Sequence, residues 1–211
     1  MTDDAKHCAS GGPHPSDCEI LEGYRRRSRE KNRPLSEEQR VVFAKAEPIR
    51  LLLLDVDGVL TDGRLYYSDE GVESKAFCTQ DGLGIRLLQR AEVMTGLITA
   101  RTSRLVAWRG EELDMDHIRQ GVNNKLEEFK SILNETSLKP YQVCYMGDDL
   151  IDLSLLTRVG LAACPANAVE EVKEACHFIA RRPGGAGAVR EICDLIIRAK
   201  GLHDTLLQQF L

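Results

Sequence analysis

The most sharply patterned stretch of the chain runs Ile49-Arg50-Leu51-Leu52-Leu53-Leu54-Asp55-Val56-Asp57-Gly58. Its apolar run is too short for a helix of ordinary length and stops in a Gly-containing turn, so Ile49 to Leu54 reads as a buried strand. Val93 to Ile98 reads as a second strand, delivering Thr99 at its end, and Gln142 to Met146 as another, delivering Gly147-Asp148-Asp149. Between them Leu126, Phe129, Ile132 and Leu133 recur at helical spacing behind Asn123-Asn124-Lys125, which places Lys125 near a helix start. Ser36-Glu37-Glu38-Gln39 fits a capping box, so a short helix should run to about Lys45 before Pro48 stops it. From Ile49 onward strands alternate with helices starting near Asp81, Thr102, Lys125, Leu150 and Ala168, and a last helix should run from about Gly187 to Ala199. This alternation predicts an α/β domain over 49–200, a Rossmann-like parallel sheet covered by helices on both faces. The stretch Arg64 to Phe77 breaks the alternation and reads as a hairpin turning at Ser68-Asp69-Glu70-Gly71.

The strand ends carry the candidate chemistry. Open α/β sheets bind ligands beyond the carboxyl ends of their strands, and that is where Asp55 and Asp57 fall. Backbone amides of the Asp55–Gly58 turn could hold a phosphate with both acids facing it. A calcium loop shares the Asp-x-Asp start, but Val59 occupies its third ligand position and Tyr66 the place of its closing Glu, which excludes it.

Composition narrows the picture without deciding it. The 211 residues and 43% hydrophobic content suffice for one substantial core. Residues 1–35, rich in Gly, Pro, Ser and charge, read as a disordered extension, 36–48 as a short helix and linker, and 201–211 as a tail. A net charge of -5 argues against a nucleic-acid partner, and the Arg25-Arg26-Arg27-Ser28-Arg29 run reads as solvated. Seven scattered cysteines without a Cys-x-x-Cys read as reduced thiols in a cytoplasmic protein, and the early His7, Cys8, His14, Cys18 cluster as a chance association rather than a zinc site. No apolar stretch approaches a membrane span, so no membrane partner is expected.

The order Asp55-x-Asp57, Thr99, Lys125, Asp148-Asp149 resembles the four motifs of the haloacid dehalogenase superfamily of phosphohydrolases. Within it, Leu54 to Gly63, Lys75-Ala76-Phe77, Asp81-Gly82-Leu83-Gly84-Ile85, Gln120-Gly121, Gly147 to Leu153 and Gly187-Ala188-Val189-Arg190-Glu191 are similar to the 3-deoxy-D-manno-octulosonate 8-phosphate phosphatase family, a capless branch that serves lipopolysaccharide precursor synthesis. The resemblance implies Asp55 as nucleophile forming an aspartyl-phosphate, and Asp57 as the acid and base for leaving group and water. It implies Thr99 and Lys125 on the phosphoryl oxygens and Mg²⁺ held by Asp55, the backbone carbonyl of Asp57, and Asp148, with Asp149 supporting from behind. Gly58, Arg101, Arg109, Asn124 and Arg190 would contact substrate. Arg101 would take its carboxylate, Arg109 would reach into an adjacent subunit, and Arg190 would close over the ligand.

With no room for a cap domain, the site needs another lid. The resemblance implies a homotetramer whose neighbouring subunits cap each site, which suits Leu65, Tyr66 and Tyr67. Ala100 stands where the family usually has Gly, at a cost of about 1 kcal/mol if its φ is positive. Three other readings remain: a 2-keto-3-deoxynonulosonate 9-phosphate phosphatase or other phosphosugar phosphatase, a catalytically silent tetramerisation module, and a receiver domain. The complete acid, Thr and Lys set argues against the silent module, and the acid on the first strand against a receiver.

Overall fold

Leu51–Leu54 has its side chains alternately on two apolar faces, and both faces are covered. The computed structural model describes residues 36–210 together with 19, 20, 22, 23 and 26. Those last five are helical where no element was expected. The remainder of the 1–35 extension, including the His7, Cys8, His14, Cys18 cluster, and Leu211 lie outside the described residues.

In chain order the elements are α1 (Glu37–Ala46), β1 (Leu51–Leu54), β2 (Tyr66–Tyr67), β3 (Glu73–Ser74), α2 (Thr79–Arg90), β4 (Met94–Ile98), α3 (Arg104–Glu112), β5 (His117–Arg119) and α4 (Lys125–Thr136). There follow β6 (Val143–Met146), α5 (Leu153–Leu156), β7 (Leu161–Cys164), α6 (Glu170–Ala175), β8 (Phe178–Ile179), α7 (Ala188–Ala199) and α8 (His203–Leu207). The capping box forms as read: Ser36 Oγ accepts the Gln39 N–H, and Gln39 Oε1 accepts the Ser36 N–H.

Six strands form one parallel sheet in the order β5-β4-β1-β6-β7-β8. On one face Leu52, Leu54, Leu97, Met146 and Ala163 pack with Ile85, Leu88, Ile192 and Ile196 of α2 and α7. On the other, Leu51, Leu53, Ile98, Val143 and Tyr145 pack with Phe129, Ile132, Leu155 and Val172 of α4, α5 and α6. Strands buried on both sides cannot alternate apolar with polar, hence the four consecutive leucines. The chain winds outward from β1 through β4 to β5, then returns to β6 on the other side of β1. The crevice between β1 and β6 is therefore the topological switch point.

Two elements differ from expectation. The hairpin shrinks to two residues per strand, Tyr66–Tyr67 against Glu73–Ser74. Within 201–211, expected as a tail, residues 203–210 form α8 and a further short turn, folded back so that Arg90 lies over the Phe210 ring at 5.9 Å and donates to Gln209 at 2.9 Å. No described helix is long and apolar enough to cross a membrane.

Candidate active site

Strand register brings the acids together. Leu54 pairs with Leu97 of β4 on one side and Met146 of β6 on the other, and the Asp55 N–H donates to the Met146 carbonyl at 2.9 Å. Asp55 is thus flanked by the segments that carry Thr99 and Asp148. Beyond it the chain turns tightly, the Leu60 and Thr61 amides donating to the Val56 carbonyl. Gly58 sits at φ +89°, and a Cβ there would fall 1.9 Å from Asp148 Oδ2, so only glycine lets Asp148 reach into the turn. The Gly184–Gly185 segment seals the same turn from outside: Gly185 donates to the Val59 carbonyl at 3.0 Å, and a Cβ on Gly184 would strike the Gly58 carbonyl.

Lys125, the first residue of α4, is buried with its ammonium 3.0 Å from Asp55 Oδ1 and 2.7 Å from Asp152 Oδ1. Burial opposes its charge, but Asp55 and Asp152 outweigh that effect and raise its pKa, so it stays protonated. Burial pushes the Asp55 carboxyl up to about 6, with Asp152 adding and Lys125 opposing. Asp148 is pushed up to about 7 by burial and by the neighbouring charges of Asp55, Asp152 and Asp149. Oxygens of Asp55, Asp148 and Asp152 all lie within 4.8 Å of one another. Such crowding of carboxylates, with only one lysine among them, suits a hard divalent cation.

The three acids are not equivalent. Asp152, fully buried, is saturated: Oδ1 takes Lys125 and the Tyr145 hydroxyl at 2.6 Å, while Oδ2 accepts the Asp148 and Asp149 N–H groups at 2.9 and 3.2 Å. Asp152 therefore holds the Asp148 loop and the lysine, leaving Asp55 and Asp148 with free oxygen for a metal. Asp149, read as the supporting acid, instead accepts the Leu150 N–H at 2.7 Å and faces solvent. The support expected from Asp149 comes from Asp152, three residues on.

Asp57 meets the hairpin. Lys75, its side chain 2% exposed, forms an ion pair with Asp57 Oδ1, and Arg101 Nε lies 3.5 Å from Oδ2. Glu73 Oε1 receives Arg101 Nη2 at 3.0 Å and lies 3.6 Å from Lys75 Nζ, while its Oε2 accepts the Ser103 hydroxyl at 2.7 Å. Arg101 also donates to the Tyr67 hydroxyl at 2.9 Å. Neither Lys75 nor Glu73 was among the candidate residues, although Lys75 opens one of the quoted motifs. Thr99 is buried at the end of β4, its N–H donating to the Arg119 carbonyl. Ala100 is not among the positive-φ residues, so the expected strain does not arise.

The other substrate candidates are engaged elsewhere in this chain. Asn124 caps α4, its Oδ1 accepting the Leu126 and Glu127 amides. Arg109 stacks over Phe77 at 5.8 Å and pairs with Glu112 at 2.8 Å, lying flat over Gly82. Arg190 pairs with Asp194 at 2.8 Å above Gly84, beside a groove of about 150 Å³ between α2, α7 and α8. Its own N–H, with that of Gly187, is held by buried Asp81, which thereby caps α7.

Known proteins are similar to this chain in sequence and fold. A family model for haloacid dehalogenase-like hydrolases matches residues 90–192. The 3-deoxy-D-manno-octulosonate 8-phosphate phosphatase of Escherichia coli K12 is 44% identical over 163 residues, 77% of this chain and 87% of that protein. Among solved structures, a probable phosphatase from Pseudomonas syringae superposes with TM-score 0.80 at 42% identity, over 81% of this chain and 97% of the other. The Moraxella catarrhalis 3-deoxy-D-manno-octulosonate 8-phosphate phosphatase, solved with magnesium, phosphate and the sugar acid, superposes with TM-score 0.79 at 36% identity, over 81% of this chain and 98% of the other.

Proposed function

Because the chain belongs to the 3-deoxy-D-manno-octulosonate 8-phosphate phosphatase family of haloacid dehalogenase-like phosphoric monoester hydrolases, we propose that it hydrolyses that same sugar phosphate to the free sugar acid and phosphate. The observation that carries the reading is buried Asp55 at the switch point, with Lys125 at 3.0 Å and the Asp148 loop folded against it. A phosphate monoester repels an anionic nucleophile, so the attacking oxygen must be placed in line among positive groups. Asp55 attacks phosphorus, forming an aspartyl-phosphate as the bond to the sugar oxygen breaks, and Asp57 gives that oxygen its proton. Asp57 then takes a proton from water, which attacks the phosphorus and frees Asp55 and inorganic phosphate. Lys125 and Thr99 hold the phosphoryl oxygens throughout.

Mg²⁺ is the proposed metal, held by Asp55, Asp148 and the backbone carbonyl of Asp57, where it would supply positive charge for the phosphoryl oxygens. The Moraxella relative was solved with magnesium, and in this chain burial, with the neighbouring carboxylates adding to it, raises the pKa values of Asp55 and Asp148, a setting that a cation would relieve.

Arg101 is proposed as the partner of the sugar-acid carboxylate, a planar donor able to leave Glu73 for the substrate. Closure is proposed to come from neighbouring subunits of a homotetramer seated on the exposed Leu65, Tyr66, Tyr67 and Val72, with Arg109 swinging outward on assembly. Light scattering tests the assembly, and an active monomer would refute it. The free thiols Cys78, Cys144, Cys164, Cys176 and Cys193 support a cytoplasmic location.

The deciding experiment is a panel of phosphosugars assayed with Mg²⁺. Octulosonate 8-phosphate should give the highest kcat/KM; preference for nonulosonate 9-phosphate or a phosphosugar without a carboxylate would overturn the substrate, and no turnover of any would leave a silent assembly module.

A further inference from the structure

Asp57 has two oxygens in different surroundings, and the difference assigns a task to the hairpin. Its Oδ1 is engaged by Lys75, whose side chain is almost completely buried. Its Oδ2 has Arg101 Nε at 3.5 Å, beyond good hydrogen-bond length. A lysine loses rotamer freedom when buried, and desolvating its charge costs free energy unless an acid is held beside it. Glu73, 3.6 Å from the same ammonium, fixes Lys75 from the other side and is itself held by Ser103 and Arg101. The four side chains Asp57, Lys75, Glu73 and Arg101 close a ring with no net charge.

Resting on the proposed acid and base role of Asp57, we infer that Lys75 is a positioning residue for that proton transfer: it pins Oδ1 so that Oδ2 faces the sugar oxygen. The ring explains why this cannot be left to Arg101. A guanidinium that turns to the substrate carboxylate gives up its contacts with Glu73 and Asp57, and Lys75 then remains as the side chain fixing Asp57. A hairpin of two residues per strand thus reaches into the catalytic loop of its own chain, in addition to presenting an apolar outer face.

The test compares release of the leaving group in a single turnover, which isolates the first step. The full-length protein with Mg²⁺ is mixed with octulosonate 8-phosphate, whose alkoxide needs a proton, or p-nitrophenyl phosphate, whose phenolate needs little. Lys75→Met should slow sugar release about 10- to 100-fold and p-nitrophenol release less than about 3-fold, matching in kind a larger loss in Asp57→Asn. Substrate KM should stay within about 3-fold of wild type, since Lys75 is not proposed to touch the phosphate. Lys75→Arg should restore most of the loss. In the Asp57→Asn background, Lys75→Met should cost nothing further, because there is no proton transfer left to position.

Equal slowing of both substrates, a change in KM alone, or a full additional loss on top of Asp57→Asn would overturn the assignment. Lys75→Gln, which keeps an amide donor, provides a second variant should thermal melting find Lys75→Met unfolded; it is judged by the same ratio of the two substrates. If Asp57→Asn itself slows both substrates equally, the acid and base reading of Asp57 fails first and takes the role of Lys75 with it. If Asp57→Asn discriminates and Lys75→Met and Lys75→Gln do not, only the inference about Lys75 fails.

Discussion

Two regions meet at Asp57, and they are built on opposite principles. The Asp55, Lys125, Asp148 and Asp152 cluster hangs from the ends of β1 and β6 and the start of α4, every element of which is packed into the core. Its parts hold one another: Asp152 alone takes four donors from three segments. The hairpin has two residues per strand and leaves Leu65, Tyr66, Tyr67 and Val72 between 42% and 63% exposed. A lone two-stranded ribbon is marginal in water, and this one is anchored at its inner edge, where Glu73 and Lys75 join Asp57 and Arg101. The groups proposed for phosphoryl transfer therefore all come from one chain, whereas the closure proposed over the substrate would come from its neighbours.

Perturbing the two regions separately should separate chemistry from substrate choice. The largest effect is expected at the nucleophile: Asp55→Asn should lower kcat by about four orders of magnitude or more on every phosphate ester. Substantial steady-state turnover in a pure sample would end the covalent mechanism. Next comes Asp152→Ala, which touches no substrate. It strips the buried Lys125 of one partner and leaves the Asp148 and Asp149 amides unpaired, so unfolding free energy should fall by about 3 kcal/mol. Displacement of Lys125 should cost kcat roughly 100-fold. Denaturant melts and kinetics check both; full activity would mean that Asp152 is dispensable to the placement of the lysine.

On the hairpin side the effect should be selective. Arg101→Gln should remove the charge-assisted pair proposed with the substrate carboxylate, worth about 2 kcal/mol, or roughly 30-fold in kcat/KM for octulosonate 8-phosphate. Esters without a carboxylate should lose far less. Parallel losses would place Arg101 in support of Asp57 instead of in substrate choice.

The same division governs what was legible in the sequence. Four leucines followed by Asp-x-Asp define a buried strand and its loop because a doubly covered strand has no polar positions, and Lys125 is placed by the helical spacing of Leu126, Phe129 and Ile132. Asp152 was missed because its surroundings invert the usual pattern: Leu150 and Ile151 are exposed while the aspartate between them and α5 is fully buried. Sequence spacing offered Asp149, the neighbour of Asp148, instead. Lys75 was missed as a site residue because its partner lies 18 positions away across a ribbon too short to announce its register. The helix His203–Leu207 is a five-residue element that packs back on α7 and buries Leu206 in the core, which local propensity cannot reveal.

The smallest effect, and the most direct probe of the core side, is the coupling of metal to pH. Asp55 and Asp148 are pushed up to about 6 and about 7, above their unfolded values near 3.8. Without metal, the folded protein then binds more protons than the unfolded chain between these values. The stability attributable to the two acids is accordingly greatest below the unfolded value and declines as pH rises through 6 and 7. A divalent cation competes with those protons, so its benefit should grow as they leave. With Mg²⁺ at about 100 times its dissociation constant at pH 8, Tm should rise by about 5 to 10 °C, and by less than about 2 °C at the same concentration at pH 5. Differential scanning calorimetry with and without Mg²⁺ measures this directly, and Asp148→Asn should abolish most of the pH 8 shift. Arg101→Gln, whose guanidinium meets the Asp57 side chain and not the backbone carbonyl proposed for Mg²⁺, should keep that shift. If Mg²⁺ stabilised equally at both pH values, or if Asp148→Asn left its effect intact, the ion would be binding outside the crevice between β1 and β6, and the division of labour between sheet and hairpin would lose its metal half.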